Sequence, residues 1–166
     1  MLHNRSGDNR EEVINIMFYH KNNNQTDILK GLQIDEPMIF LPWDIDENGF
    51  IDMFKNHNMS LVVEKYYFVR DVTIFDNSHC NIGVTFDKMI RKVGISRNNY
   101  EGYDAYVKSF AEFQIALIRE FGQPNKLEKA LNDFESCEWR ISDSIKIYHY
   151  VMDRFGLEEH LYIEHS

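Results

Sequence analysis

The longest regular pattern of apolar residues lies in the second half of the chain and predicts an amphipathic helix. From Tyr103 to Phe121, apolar side chains recur at intervals of three and four residues, the spacing of one helix face. The apolar positions are Tyr103, Tyr106, Val107, Phe110, Phe113, Leu117 and Phe121. Gly122 and Pro124 follow directly, and this pair is typical of a helix end.

Apolar runs rich in β-branched and aromatic residues predict strands elsewhere in the chain. The predicted strand segments are 36–43, 60–75, 80–86, 137–142, 143–152 and 157–165. The last two are joined by "DRFG" and predict a terminal hairpin. Weaker patterns predict a short helix over 27–34, a short helical or irregular piece over 87–95, and a helical continuation over 126–136.

These elements predict one α+β domain over residues 1–166, with a weakly patterned N-terminal segment over 1–35. We expect an antiparallel sheet with helices packed mainly on one face. Because neighbouring strand residues point to opposite faces, Tyr66 and Tyr67 cannot both enter the core. Some tyrosines must therefore lie on the other face of the sheet.

The stretch "DIDENGFIDMFK" from Asp44 to Lys55 resembles a calcium-binding EF-hand loop in its first nine positions. The twelfth position should supply a bidentate glutamate, but it holds the cation of Lys55. An apolar segment with Pro42 also stands where the entering helix should be. We therefore interpret the stretch as a helix start capped by Asp44 or Asp46, and we assign no metal site. A degenerate calcium-binding module stays as an alternative.

Composition indicates a globular protein with a strong negative charge. Apolar residues make up 43% of the chain, and 18 basic against 27 acidic residues give a net charge of −9. Phosphate contacts need basic patches, so we expect no direct binding of nucleic acid. No apolar run is long enough to cross a membrane, and the start of the chain is not a secretory signal. We therefore expect a cytoplasmic protein in which Cys80 and Cys137 pack as small apolar residues.

No nucleotide-binding, hydrolase, zinc-protease or kinase motif is present in the sequence. We assign no catalytic residue and no cofactor. His149 falls on an aliphatic strand face and is interpreted as a core histidine, whereas His160 and His165 lie near glutamates on the last strand. An enzyme whose histidine and carboxylates meet only in the folded chain remains an alternative.

The second part of the chain resembles small bacterial immunity proteins of polymorphic-toxin and contact-dependent growth inhibition systems. The resemblance covers about the last two-thirds of the sequence. It rests on size, acidity, a helix ending in "FGQP" and a following strand that carries Trp139. It implies a non-catalytic inhibitor that binds and neutralises a cognate bacterial toxin, which we expect to be basic and of the nuclease type.

Two groups of residues are candidates for the toxin-binding surface, because carboxylates steer a basic partner and tyrosines are favoured at interface hot spots. One group is Asp44, Asp46, Glu47 and Asp52; the other is Glu158, Glu159 and Glu164 with Tyr148, Tyr150 and Tyr162. The sequence does not choose between them. It also gives no oligomeric state.

Overall fold

The computed structural model describes residues 27–75, 78–97, 102–129, 134–153 and 156–166. Most of the weakly patterned segment 1–35 therefore lies outside the described residues. The turn predicted at "DRFG" also lies partly outside them.

An eight-stranded antiparallel sheet forms the body of the molecule, with strand order β3-β4-β5-β6-β10-β9-β8-β7. Its strands are β3 (Met59–Val63), β4 (Tyr66–Ile74), β5 (Ser78–Phe86), β6 (Ile90–Ser96), β7 (Lys126–Lys129), β8 (Glu135–Arg140), β9 (Ile145–Asp153) and β10 (Leu157–His165). A separate two-stranded hairpin contains β1 (Gly31–Ile34) and β2 (Ile39–Pro42). The last strand of the chain is inserted between β6 and β9 and joins the two halves of the sheet. The α+β prediction is confirmed.

The first helix, α1 (Glu47–Phe54), begins where the acidic stretch predicted it. Asp46 is its N-cap, and the Asp46 carboxylate accepts a hydrogen bond of 2.7 Å from the backbone N–H of Gly49. Phe50 and Phe54 are fully buried and pack with their ring centroids 4.7 Å apart. Burial of each ring contributes about 2–3 kcal/mol relative to an exposed position.

The second helix, α2 (Tyr103–Phe121), confirms the strongest pattern in the sequence. The buried face of α2 includes Phe113 and Leu117. Gly122 ends the helix with a positive φ of 81°, and its N–H donates to the carbonyl of Ile118 at 2.8 Å. The Trp139 indole N–H on β8 then donates to the Gly122 carbonyl at 2.8 Å, which ties the helix end to the sheet.

Both helices pack on the same face of the sheet. The Phe50 ring of α1 contacts Tyr67 on β4 and Phe86 on β5. The Phe110 ring of α2 stacks on His149 of β9, with ring centroids 4.2 Å apart. No helix of the described residues packs on the opposite face. This agrees with the prediction that the helices pack mainly on one face of the sheet. Tyr67 is buried in the core and Tyr66 lies on this open face.

Three weak sequence predictions are wrong. In the predicted helix 27–34 only residues 27–28 are helical, and Gly31–Ile34 form strand β1. Residues 87–95 contribute most of β6, and residues 126–129 form β7. Segment 60–75 is also two strands, β3 and β4, with a turn in which Lys65 has a positive φ of 61°. In each case pairing with a neighbouring strand outweighs a weak local preference.

Both cysteines are buried and free, as expected for small apolar residues. Burial raises the pKa of the Cys80 thiol to about 12. Neither helix of the described part of the chain is both long and apolar enough to cross a membrane.

Candidate functional site

More than half of the net negative charge comes from one continuous segment, residues 27–55, which we call the acidic unit. It contains seven acidic and two basic residues, so its net charge is −5 out of −9 for the chain. The segment folds into the β1–β2 hairpin followed by α1. The first candidate group of the sequence analysis therefore lies within the most acidic part of the described chain.

The four carboxylates of that group have different local roles. Asp44 is exposed, whereas the Asp46 carboxylate caps α1. Glu47 accepts a hydrogen bond of 2.7 Å from the Tyr67 hydroxyl, and this bond, with burial and the glutamate charge, raises the pKa of Tyr67. Asp52 forms an exposed ion pair of 2.7 Å with Lys55. Asp46 and Glu47 are therefore each held by one hydrogen bond, whereas Asp52 is in an exposed ion pair, which contributes little to order.

Exposed apolar side chains accompany these charges. Met38, in the turn between β1 and β2, is 89% exposed, and Phe40 on β2 is 39% exposed. Met38 follows Asp35 and Glu36 closely in the chain. Met38 is therefore an accessible apolar side chain that lies close in sequence to two carboxylates.

The acidic stretch 44–55 forms the start and body of helix α1, with Asp46 as its N-cap. No group of three or more histidine, cysteine, aspartate or glutamate side chains that could hold a metal ion occurs within the described ranges. One carboxylate oxygen of Asp46 accepts from the backbone N–H of Gly49, and Lys55, at the position where an EF-hand has its bidentate glutamate, pairs with Asp52.

The tyrosines of the second candidate group lie together on the open face of the sheet. Tyr148 on β9 and Tyr162 on β10 are directly paired and stack with ring centroids 4.9 Å apart. Tyr150 meets the Tyr162 ring edge-on at 6.1 Å and stacks on His160 at 5.0 Å. Burial, followed by its tyrosine and glutamate neighbours, raises the pKa of Tyr162.

We call this open surface of β6, β10, β9 and β8 the tyrosine face, and its charges are balanced. Strand alternation and the cross-strand pairs place three cations and three carboxylates around the rings. They are Lys92, Lys146, Arg140, Glu138, Glu158 and Glu164. The Lys92 ammonium lies 3.6 Å from the centroid of the Tyr162 ring, and Arg140 bonds Glu138 at 2.7 Å.

The two candidate groups lie on opposite sides of the sheet. Cross-strand pairs run from Phe68 through Gly83, Gly94 and Tyr162 to Tyr148, so these positions share one face. Tyr67, the neighbour of Phe68, points the other way and contacts α1. The two groups therefore cannot form one continuous contact patch on the same face.

Glu159 differs from the other residues of its group, because it points into the core. Its side chain is only 4% exposed and accepts hydrogen bonds from the Ser109 hydroxyl at 2.6 Å and from Nε2 of His149 at 2.8 Å. Glu158 and Glu164 stay with the tyrosines, but Glu159 packs beneath α2. We therefore remove Glu159 from the proposed contact surface.

The His149–Glu159–Ser109 cluster contains the histidine and the carboxylate that the enzyme alternative requires, but both of these side chains are buried. His149 has no exposed surface, and Phe110 stacks on its ring. Burial lowers the pKa of His149, because the charged form loses its hydration, and Glu159 opposes this effect. The carboxylate bridges serine and histidine, whereas a nucleophilic triad needs histidine between the other two. A substrate cannot reach these atoms in this conformation.

The sequence analysis identified His149 as a core histidine but missed its partners. One signal was available, since Glu159 alternates with Leu157, Leu161 and Ile163 and so falls on the apolar face of β10. Comparison with protein families, with curated proteins and with solved structures finds no match to this chain.

Proposed function

We propose that this protein is a non-catalytic inhibitor that binds a basic protein partner through its acidic unit. The observation that carries the proposal is the concentration of a net charge of −5 in residues 27–55, beside the exposed Met38 and Phe40. The resemblance to immunity proteins of toxin systems supports the same function. In that setting the partner is a cognate toxin of the nuclease type, and both proteins meet in the cytoplasm.

The mechanism begins with electrostatic steering. A nuclease carries a basic surface because it must contact phosphates. The field of the acidic unit attracts such a surface over roughly one Debye length, about 8–10 Å at physiological salt, and raises the rate of encounter. Asp44 is exposed and contributes to this field directly, whereas the charge of the exposed Asp52 is partly offset by its ion pair with Lys55.

Short-range packing then holds the complex. Met38 and Phe40 offer apolar area at the hairpin, and a flexible methionine adapts to an irregular partner surface. The hairpin itself is anchored, since the backbone N–H of Asp35 donates to the Thr73 carbonyl at 2.8 Å and the N–H of Thr73 donates to the Glu36 carbonyl at 2.9 Å. An inhibitor with a fixed binding surface loses less conformational entropy on binding.

The acidic unit fits this function better than the tyrosine face does. The tyrosine face carries three cations and three carboxylates, so its field is weak at a distance. The acidic unit combines a net negative charge with exposed apolar side chains.

Growth rescue tests the proposal directly. The protein product of the neighbouring upstream gene is expressed in a bacterial host with and without this protein, and a pull-down measures their association. We expect that product to be toxic alone, to be neutralised by this protein and to be captured by it. No toxicity, or toxicity without rescue or capture, contradicts the proposed pairing.

A charge-reversed variant with a matched control locates the surface. The double variant Asp44→Lys with Asp52→Lys should lose rescue and capture. The control, Asp104→Lys with Glu128→Lys, changes the net charge equally at exposed positions outside the acidic unit and should keep both. Equal rescue by the two double variants contradicts a role for the acidic unit.

A further inference from the structure

We infer that β3 is a pairing edge, to which the basic protein partner adds an extended segment as a further strand of the sheet. This inference rests on the proposed function, because it gives the same partner a second contact beside the acidic unit. It is carried by the backbone of β3, by the exposed apolar side chains of this strand and by its position next to α1.

The backbone of β3 presents hydrogen-bonding groups at the edge of the sheet. Asn58 and Arg70 lie directly opposite each other when the β3–β4 register is continued by one residue, and the Arg70 N–H donates to the Asn58 carbonyl at 2.9 Å. Opposite residues in an antiparallel ladder alternate between bonded and non-bonded pairs. Ser60 therefore belongs to the next bonded pair, and Leu61 belongs to a non-bonded pair. The N–H and C=O of Leu61 consequently point away from β4, where an added strand can bond them.

β3 also lacks the charges that usually block an edge strand. Within the described ranges it pairs only with β4, and Leu61, Val62 and Val63 are 59%, 53% and 62% exposed. No residue of β3 is charged. On β7, at the opposite edge, charged residues flank the exposed Leu127. An open apolar edge is the feature to which an extended segment of a partner is added in strand-addition complexes.

Charge favours a basic partner over a second copy of this chain. α1 packs beside β3, because Tyr67 on the neighbouring strand contacts Phe50 and donates a hydrogen bond of 2.7 Å to Glu47. Residues 44–55, which contain α1, hold four carboxylates and one cation, so their net charge is −3. Antiparallel pairing of two β3 edges about a two-fold axis places both α1 helices on the same face of the joined sheet, where their negative charges repel. The same charges attract a basic segment.

The two faces of the sheet beside β3 define the segment that fits. Leu61 pairs with Tyr67 and so lies on the face that α1 covers, where basic side chains of the added strand meet a negative field. On the other face Arg70 donates to the Ser60 hydroxyl at 3.2 Å and lies over the Phe68 ring, so a cation is already present there. The segment that fits best therefore alternates basic residues on the α1 side with uncharged residues on the open side.

Hydrogen exchange of the isotope-labelled full chain, read by NMR with and without the product of the neighbouring upstream gene, tests the inference. In the free protein the Leu61 amide should exchange at least about tenfold faster than the Ser60 amide, which bonds to β4. In the complex the Leu61 amide should slow by about tenfold or more, because it then bonds to the added strand. The amides of β7, at the other edge, serve as the control and should not change.

Two substitutions of Leu61 separate the backbone contact from the side-chain contact. Leu61→Ala removes apolar area but keeps the N–H, and should weaken binding of the same product by about threefold. Leu61→Pro also removes the N–H and should weaken binding by at least about tenfold. Proline is tolerated on an edge strand where the N–H faces outward, and thermal unfolding verifies that each variant is folded.

The outcomes distinguish this inference from the proposed function. A wild type that does not bind the product contradicts both. Binding without protection of the Leu61 amide, or equal binding by the alanine and proline variants, overturns the pairing edge alone. Protection of this amide in the free protein also overturns it. Protection that grows with protein concentration then identifies a second copy at β3, and protection independent of concentration identifies another segment of this chain.

Discussion

At the scale of single residues, His149 and Glu159 are two titratable side chains buried in a core that is otherwise mainly apolar. Alternation along β9 was enough to place His149 inside. Identifying its partner needed the register of the β9–β10 hairpin, in which Leu161 lies opposite His149 and Glu159 is its diagonal neighbour. The hydroxyl of Ser109 comes from α2 and could not be placed from the sequence at all.

This pair predicts a pH dependence of stability. Burial lowers the pKa of His149 in the folded protein, so below about pH 6.5 the unfolded chain binds more protons than the folded one. The free energy of unfolding should therefore fall as the pH is lowered from about 7.5 to about 5.5. Replacement of His149 by glutamine should reduce this fall, measured by chemical denaturation at both pH values. An equal fall in wild type and H149Q contradicts the assignment.

At the scale of elements, both helices and the strands of the terminal hairpin were predicted correctly, whereas the weak patterns and the division of segment 60–75 into β3 and β4 were not. α2 and the terminal hairpin carry long periodic runs, and α1 has an acidic start before its buried aromatic residues. β1, β6 and β7 have short or mixed patterns, and each is a strand because a paired neighbour completes its hydrogen bonds. Local sequence does not contain that information.

The start of α1 gives a prediction in which one aspartate serves as the control for another. Asp46→Ala should lower the free energy of unfolding by about 1 kcal/mol, because the Gly49 N–H loses its carboxylate acceptor. Asp44→Ala removes an equal charge two residues earlier without removing this bond and should change stability by less than about 0.5 kcal/mol. Equal losses in the two variants, measured by denaturant titration, contradict the capping role of Asp46.

The edge strand β3 gives a prediction about aggregation. Within the described ranges β3 pairs only with β4, and Leu61, Val62 and Val63 are each more than half exposed. An apolar, uncharged edge strand is a template for pairing with other chains. Val62→Lys should therefore raise the temperature at which light scattering begins.

The opposite edge provides the control for that measurement. Leu127 on β7 is similarly exposed, but Lys126 and Glu128 flank it with charge. Leu127→Lys should have a much smaller effect on the onset of scattering. Equal effects of the two substitutions would mean that β3 is not the main site of aggregation.

At the scale of the whole molecule, the sequence analysis identified four carboxylates of the acidic unit, Asp44, Asp46, Glu47 and Asp52, but not the segment 27–55 as a unit. Only part of the tyrosine face could be predicted from the sequence. The sequence placed Tyr148, Tyr150 and Tyr162 on strands, but β10 had to be inserted between β6 and β9 before Lys92 could meet Tyr162. The separation of the two candidate groups onto opposite faces likewise depends on this strand order.

The most direct test of the central claim is the association rate between this protein and the product of the neighbouring upstream gene, measured by stopped flow at increasing salt. We predict that the wild-type rate falls steeply with salt. The Asp44→Lys, Asp52→Lys double variant should associate about tenfold or more slowly at low salt, with a flatter dependence. A variant whose rate and salt dependence equal those of the wild type would contradict binding through the acidic unit.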